Sequence, residues 1–224
     1  MGSLSKNKIL SFRSFSNMIR GSKFISQNLA VLWIPLLLCA ASLLIHYSDG
    51  LSEALQYDRG SIHKYQLHRM VSSHFCHWTL GHMGYDTFFF GLLSLLYFVF
   101  HQGSSSGIRY YGIYILALSL GIGGVVHFLY PNIIYYRGLS GLDWGLYGIF
   151  AIQLWRLRHW FWKSGAFLMI LLFGIKLGLQ IKSGQSMFVG DMGPGVVNMP
   201  GVHAAGIIGG IILAALLEPR SCNS

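Results

Sequence analysis

Charged residues and cysteines are scarce in this sequence of 224 residues, and each shortage excludes a class of protein. Only 10% of the residues are charged and the mean hydropathy is +0.52, so a soluble globular domain is not expected. The three cysteines, Cys39, Cys76 and Cys222, form no Cys-x-x-Cys pair, so neither a disulfide framework nor a zinc site is indicated. The apolar residues fall in blocks separated by short polar breaks, which is typical of a multi-pass membrane protein.

Acidic residues are also few, seven against sixteen lysines and arginines, which gives a formal net charge of +9. The basic residues are spread over loops and termini rather than gathered on one face, so nucleic-acid binding is not expected. The first 25 residues are basic and rich in serine, and they lack an apolar core followed by a small-residue cleavage site. We therefore expect a retained cytoplasmic tail rather than a signal peptide.

The apolar blocks predict six membrane-spanning helices, since a helix needs about 20 residues to cross about 30 Å of hydrocarbon. They cover residues 28–46, 82–100, 110–130, 139–157, 166–181 and 202–217. The predicted organisation is a basic tail (1–27), a six-helix membrane domain (28–217) and a short C-terminal tail (218–224). Ten loop and tail lysines and arginines lie on one side of this layout and five on the other, which places both termini in the cytoplasm.

The fourth predicted span is unusually short. From Leu139 to Trp155 it covers only about 25 Å, so Ser140 is expected to lie below the external membrane surface. The chain between Pro131 and Gly138 must then enter the membrane without being helical. Such backbone is tolerated only when it is buried in protein or faces a water-filled cavity, which hydrolysis would need. The alternative is that Ser140 is simply the N-cap of its helix.

Ser140 and His203 each open a predicted span, and small residues follow both of them. These are Gly141, Gly145 and Gly148 on the fourth span and Gly206 and Gly210 on the sixth. Faces of small residues let two membrane helices approach closely, as a Ser–His hydrogen bond of about 3 Å requires. His203 would then be the general base toward Ser140 and the general acid toward the leaving amine.

The second span contributes His77, His82 and Asp86, of which the last two are four residues apart and share a helix face. An N–H group of His82 could stabilise an oxyanion together with the backbone N–H groups of Ser140 and Gly141, while Asp86 accepts from the other ring nitrogen. The alternative is that His82 and Asp86 merely satisfy one another, which leaves two costly intramembrane polar groups unexplained.

Other polar residues receive no catalytic role. His63, His68 and His74 are expected to be solvated in the first external loop. Asp143 and Lys176 are the remaining intramembrane charges. They either form an ion pair, which would cancel two unfavourable burials, or Lys176 extends to the membrane surface.

A haem or metal centre would use histidines such as His82, His127 and His203. These histidines lack the symmetric mid-membrane placement of two haem ligands, and only Asp86 and Asp143 supply carboxylates near them. We therefore expect no cofactor and no metal.

Three motifs together resemble the rhomboid intramembrane serine proteases. Arg69 lies eight residues before His77, and the segment from His77 to Asp86 is similar to the family's His-x4-His-x3-Asn pattern. Gly138-Leu139-Ser140-Gly141 is similar to its GxSG motif, and His203-Ala-Ala-Gly206 with Gly210 to its His-x2-Gly-x3-Gly motif. The resemblance covers all six predicted spans.

The resemblance implies an all-α, six-transmembrane-helix bundle whose short fourth helix starts inside the membrane. It implies Ser140 as nucleophile, His203 as base and His82 as oxyanion donor. The expected substrates are single-span proteins, cut near the external end of their transmembrane helix. The chain departs from the family at Asp86, where asparagine is usual, and has Trp144 where the family often has another aromatic against the catalytic histidine.

The small six-span layout, the leucine of the GxSG motif and Asp86 are similar to rhombosortase-like bacterial rhomboids. That subgroup implies an enzyme of the bacterial inner membrane that processes C-terminal, glycine-rich sorting tails. The alternative within the fold is a catalytically silent rhomboid-like factor that binds membrane proteins. A small channel or a haem carrier is a third interpretation.

Overall fold

The computed structural model describes residues 31–101, 104–184 and 196–217. The predicted tails, 1–27 and 218–224, and the start of the first predicted span, 28–30, lie outside the described residues. Within these ranges the chain forms nine α-helices and two short strands. The helices are α1 Trp33–His46, α2 Asp49–Leu55, α3 Arg59–His63, α4 Arg69–Ser72, α5 Leu80–His101, α6 Ser105–Leu129, α7 Ser140–Arg156, α8 Trp160–Ser183 and α9 Pro200–Leu217; the strands are β1 Tyr57–Asp58 and β2 Tyr135–Tyr136.

Four of the described helices, α5, α6, α8 and α9, are long and apolar enough to cross a membrane. The pair α1 and α2 would add a fifth span if counted as one, although it is bent by 113°. The prediction of a helical membrane protein is therefore confirmed, while the full number of six spans stays a prediction. α7, the predicted fourth span, has only 17 residues.

α8 is longer than the sequence indicated, because it begins at Trp160 rather than near 166. The side chain of His159 caps it by accepting a hydrogen bond from the backbone N–H of Phe161 (3.2 Å). The helix ends at Gly184, which adopts the left-handed conformation (φ 69°) that glycine tolerates. The apolar pattern placed the start of α8 too late in the sequence. The hydrogen bond from His159 that caps the helix leaves no signal in hydropathy.

α7 is the central helix of the bundle. It packs most extensively against α9 and also contacts α8, α5 and α6. Ten of its 17 residues are buried, on all sides rather than in one stripe. A helix buried on all sides is enclosed by other protein elements.

α7 and α9 meet backbone to backbone along a seam of glycines, which we call the glycine seam: Gly141, Gly145, Gly148, Gly206 and Gly210. Gly206 lies against the carbonyl of Gly141, and Gly210 against that of Gly145. A Cβ added at Gly148 would stand 2.6 Å from the carbonyl oxygen of Ile207. At Gly148, Gly206 and Gly210 no larger side chain fits unless one helix moves away from the other.

The segment between α6 and α7 is non-helical, as predicted, and the loop between α1 and α5 holds it in place. Tyr57 of β1 pairs with Tyr136 of β2 in an antiparallel ladder. The guanidinium of Arg59 donates to the carbonyls of Ile133 (3.0 Å) and Tyr130 (2.8 Å). These contacts fix the course of the chain just before Ser140.

Two further arginines hold this loop together. The Nη1 group of Arg69 donates to the carbonyls of Glu53 (2.8 Å) and Gln56 (2.9 Å). Arg137 donates from Nε to the side-chain oxygen of Gln56 (2.9 Å) and lies 4.4 Å above the ring centroid of Trp78. Arg69 thus ties the loop to itself, and Arg137 ties it to the segment before Ser140, through charged hydrogen bonds, which are stronger than neutral ones.

Candidate active site

Ser140 is the first residue of α7, and the backbone before it is shaped by a glycine. Gly138 has φ 135°, a conformation that residues with a side chain rarely adopt. A Cβ there would also lie 3.0 Å from Nε2 of His82. The N-cap of α7 is Leu139, which makes no side-chain cap hydrogen bond. Ser140 is therefore not the N-cap residue, and its hydroxyl is directed elsewhere.

The hydroxyl of Ser140 meets His203. The distance from Ser140 Oγ to His203 Nε2 is 3.1 Å, a hydrogen bond across the first turns of α7 and α9. Both side chains are half-buried. The glycine seam directly below them explains the close approach, because it brings the two helix backbones into contact.

The other ring nitrogen of His203 faces α8. His203 Nδ1 lies 3.1 Å from Oε1 of Gln180 and 2.8 Å from Nζ of Lys176. Lys176 Nζ also donates to Gln180 Oε1 (2.6 Å), and it lies 4.8 Å from the ring centroid of Trp144. Lys176 is only 8% exposed, so it does not extend to the surface.

Asp143 does not pair with Lys176 either. Among the residues that the structure describes, the ion pairs are those of His77 and His82 with Asp86. Asp143 is buried, and its Oδ1 atom has no hydrogen-bond partner within the described part of the chain. Both alternatives drawn from the sequence for Lys176 are therefore wrong, because its partners are neutral polar groups on α8 and α9.

Trp144 lies one turn after Ser140 and packs beside the dyad. Its ring centroid is 6.2 Å from that of His203, with the rings tilted by 48°. Phe173 (4.6 Å) and Tyr147 (5.1 Å) hold the indole from the other sides. The position four residues after Ser140 thus places an aromatic wall against His203.

Asp86 is the meeting point of the donors expected to hold an oxyanion. Its Oδ2 atom accepts from the backbone N–H of Ser140 (3.1 Å) and lies 3.1 Å from Nε2 of His82. The Nε2 atom of His77 is 3.5 Å from the same oxygen. The sequence suggested that His82 points one nitrogen at the cavity and the other at Asp86. In the structure the nitrogen that contacts Asp86 is Nε2. The other nitrogen, Nδ1, is buried and has no hydrogen-bond partner among the described residues.

His74 supports the segment just before Ser140, and the prediction that it is solvated was wrong. It is fully buried, with Nδ1 3.3 Å from the carbonyl of Gly138 and Nε2 3.2 Å from that of Ser119. Burial lowers its pKa to about 4, so it is neutral near pH 7. His63 and His68 are exposed, as expected. The hydropathy pattern could not separate the three, because only the tertiary fold turns residues 73–75 inward.

His77, just before α5, is also buried. Burial lowers its pKa, an effect that the neighbouring Asp86 carboxylate partly offsets. His127, which a haem centre would have used, lies away from the site and hydrogen-bonds to Tyr57 (3.1 Å). Within the described ranges, no group of three or more His, Cys, Asp or Glu side chains is arranged to hold a metal ion.

A cavity of about 800 Å³ opens beside the dyad. It lies between α5 and α8, and residues 132–137 and 196–199 also line it. Its polar lining includes Ser140, His203, His82, Asp86 and Lys176, and its aromatic wall includes Trp78, Tyr85, Phe89, Trp144, Tyr147 and Phe173. A mostly apolar cavity with a few convergent polar groups is typical of a ligand or substrate site.

Sequence reasoning missed Gln180 altogether. It is 1% exposed, on a helix whose other residues are mostly apolar, four residues after Lys176. Buried polar residues of membrane helices usually serve a function, which was the available signal.

Compared with known proteins, the chain matches no protein-family model and no curated protein.

Proposed function

We propose that this protein is a rhomboid-type intramembrane serine endopeptidase, with α1, α5, α6, α7, α8 and α9 as six membrane spans. The observation that carries the proposal is the 3.1 Å contact between Ser140 Oγ and His203 Nε2 at the wall of the 800 Å³ cavity. A serine hydroxyl within hydrogen-bond distance of an imidazole is the arrangement that nucleophilic catalysis requires.

In the first step, the peptide carbonyl of an unwound substrate segment enters the cavity and lies against Ser140. His203 Nε2 takes the hydroxyl proton as the oxygen attacks the carbonyl carbon. Collapse of the tetrahedral intermediate breaks the C–N bond, and His203 gives the proton to the leaving amine. Water from the open cavity then hydrolyses the acyl-enzyme in the reverse sense, with His203 again the base.

The developing oxyanion needs donors, and two converge at one point. The backbone N–H of Ser140 and Nε2 of His82 both lie 3.1 Å from Oδ2 of Asp86. That oxygen stands where a substrate oxyanion would receive both hydrogen bonds. Two oxygen atoms cannot share the position, so Asp86 turns away when the substrate is bound.

The proposed substrates are single-span membrane proteins whose helix is weak near its external end. Glycine and other small residues unwind easily from a helix, because glycine disfavours the helix by about 1 kcal/mol relative to alanine. The resemblance to rhombosortase-like enzymes narrows this to C-terminal glycine-rich sorting tails in a bacterial inner membrane. The distribution of lysines and arginines supports cytoplasmic termini.

One observation favours a second candidate, a catalytically silent rhomboid-like binding factor. The carboxylate of Asp86 occupies both oxyanion donors in this structure. A protein in which this contact never opens would bind transmembrane helices in the cavity without cutting them.

A fluorophosphonate probe on the detergent-solubilised full chain separates the two candidates. The protease should be labelled, Ser140→Ala should not, and His203→Ala should be labelled at least about 10²-fold more slowly because the base is lost. Ser119→Ala is the matched control, because Ser119 is a buried serine on α6 and should be labelled like the wild type. Equal labelling of the wild type and Ser140→Ala would rule out the protease. An unlabelled wild type would favour the catalytically silent binding factor. Mass spectrometry of a cleaved Gly-Gly tail substrate then tests the subgroup.

A further inference from the structure

The two partners of His203 Nδ1 make opposite demands on the ring. Gln180 presents its carbonyl oxygen, which can only accept a hydrogen bond. Lys176 presents an ammonium group, which can only donate. Two contacts fix the orientation of the Gln180 amide: its NH₂ group donates to the Asn198 side-chain oxygen, and its Oε1 atom accepts from Lys176 Nζ (2.6 Å).

Only one tautomer of His203 can act as a base. Nε2 must carry its lone pair toward Ser140 Oγ, so the ring proton has to be on Nδ1. An Nδ1–H group donates to Gln180 Oε1, and this completes a chain of hydrogen bonds from Ser140 through His203 to Gln180. In the other tautomer Lys176 donates to Nδ1, the proton is on Nε2, and the ring cannot take a proton from Ser140.

We propose that Gln180 is the positioning residue that selects the catalytic tautomer of His203, and that Lys176 favours the opposite, inactive tautomer. This inference rests on the proposed protease function. The change between the two states adds no charge to the ring, since one proton leaves Nε2 to cavity water and another is taken up at Nδ1.

Burial makes this competition effective. Gln180 and Lys176 are 1% and 8% exposed, so bulk water does not replace either contact. The ammonium also opposes a second positive charge on His203, which forms when the ring takes the Ser140 proton. Asp86 and His82 line the same cavity, and neither makes a hydrogen bond to Nδ1 among the described contacts. The two α8 residues are therefore the groups that decide the tautomer.

The test compares fluorophosphonate labelling rates of full-length variants. Gln180→Leu removes the acceptor and should slow labelling about 10²-fold, whereas Gln180→Glu restores an acceptor and should stay within about threefold of the wild type. Lys176→Met removes the competing donor and should label about threefold faster or more. Gln153→Leu is the matched control: Gln153 is a buried glutamine on α7 beside His101, and this variant should stay within about twofold.

A spectroscopic readout separates positioning from structural support. The ¹⁵N chemical shifts of the His203 ring, assigned by difference from His203→Gln, distinguish Nδ1–H from Nε2–H. Lys176→Met should shift the population toward Nδ1–H, and Gln180→Leu toward Nε2–H. This measurement also applies if Gln180→Leu folds poorly, because Lys176→Met must still move the population toward Nδ1–H.

Several outcomes would overturn the inference. Ser140-dependent labelling that is unchanged in Gln180→Leu would exclude Gln180 as the positioning residue and leave the protease itself intact. A tenfold loss in Lys176→Met would identify the lysine as the support of His203 instead. Absence of Ser140-dependent labelling in the wild type would remove the proposed function, a result distinguishable from both.

Discussion

The two sides of the dyad are built differently. On one side, the glycine seam brings the backbones of α7 and α9 into contact directly below Ser140 and His203. On the other, the cavity separates α5 from α8, and aromatic side chains rather than backbone form its walls. The contrast indicates that backbone packing fixes the distance between Ser140 and His203, while side chains that can change rotamer bound the cavity.

α8, on the cavity side of Ser140 and His203, has few buried residues. Its buried residues are Ala166, Phe173, Lys176 and Gln180, out of 24 in the helix. Phe173 contacts Trp144, and Lys176 and Gln180 contact His203 and each other, so three of these four residues lie at the site. A helix whose buried contacts are concentrated at the site can move when a substrate replaces those contacts.

The largest effect is expected from a side chain placed in the glycine seam. Gly206→Val would drive a branched side chain into the backbone of Gly141 and force α7 and α9 apart. We expect a loss of about 3 kcal/mol or more in stability and no detectable probe labelling, because overpacking against backbone cannot be relieved by a rotamer change. Thermal unfolding in detergent and fluorophosphonate labelling measure the two effects.

Gly178→Val is the matched control for the seam. Gly178 lies on α8, and a Cβ there meets nothing within 4 Å. It should change the unfolding midpoint and the labelling rate little. If both valine variants behaved alike, the seam would not be what holds the dyad together.

The second test acts where the two sides meet. Asp86 on α5 touches the backbone of Ser140, so it joins the open side to the seam. Asp86→Asn removes a negative charge from the position of the oxyanion and keeps an oxygen that can accept from Ser140. Labelling should rise about threefold to tenfold, since hydrogen bonds to charged groups exceed neutral ones by about 1 kcal/mol. A tenfold fall would show instead that the carboxylate charge assists catalysis.

The smallest effect is expected on the cavity wall. Phe89 lines the cavity, whereas its neighbour Phe88 is 64% exposed and faces away from it. Phe89→Ala should widen access and speed the cleavage of a membrane substrate about twofold, with labelling by the small probe unchanged. Phe88→Ala should change neither rate. An equal effect of both variants would mean that access does not pass this wall.

The elements that the sequence predicted well are those whose signal is local. The apolar blocks located α5, α6 and α9 within a few residues, and the glycines after Ser140 and His203 indicated that the two helices approach closely. The structure places these glycines in backbone contact, with Ser140 and His203 at 3.1 Å. The catalytic roles of the two residues stay predictions.

The partners of the polar residues could not be predicted, because they depend on which helices face each other. The sequence predicted that Lys176 pairs with Asp143 or extends to the membrane surface. In the structure it lies between His203 and Gln180. His74 was expected in solvent, and it is buried between two carbonyls. Hydropathy reports the cost of burying such groups but not the group that compensates it.

The separation of Ser140 and His203 along the chain has a consequence for biosynthesis. They are 63 residues apart, which at about 5–20 residues per second takes roughly 3–13 s to translate. Under the proposed function, α7 spends that interval in the membrane with its glycine face uncovered and its serine without a base. A nascent chain then cannot cut its neighbours until α9 has docked, so insertion of that helix acts as the activation step of the enzyme.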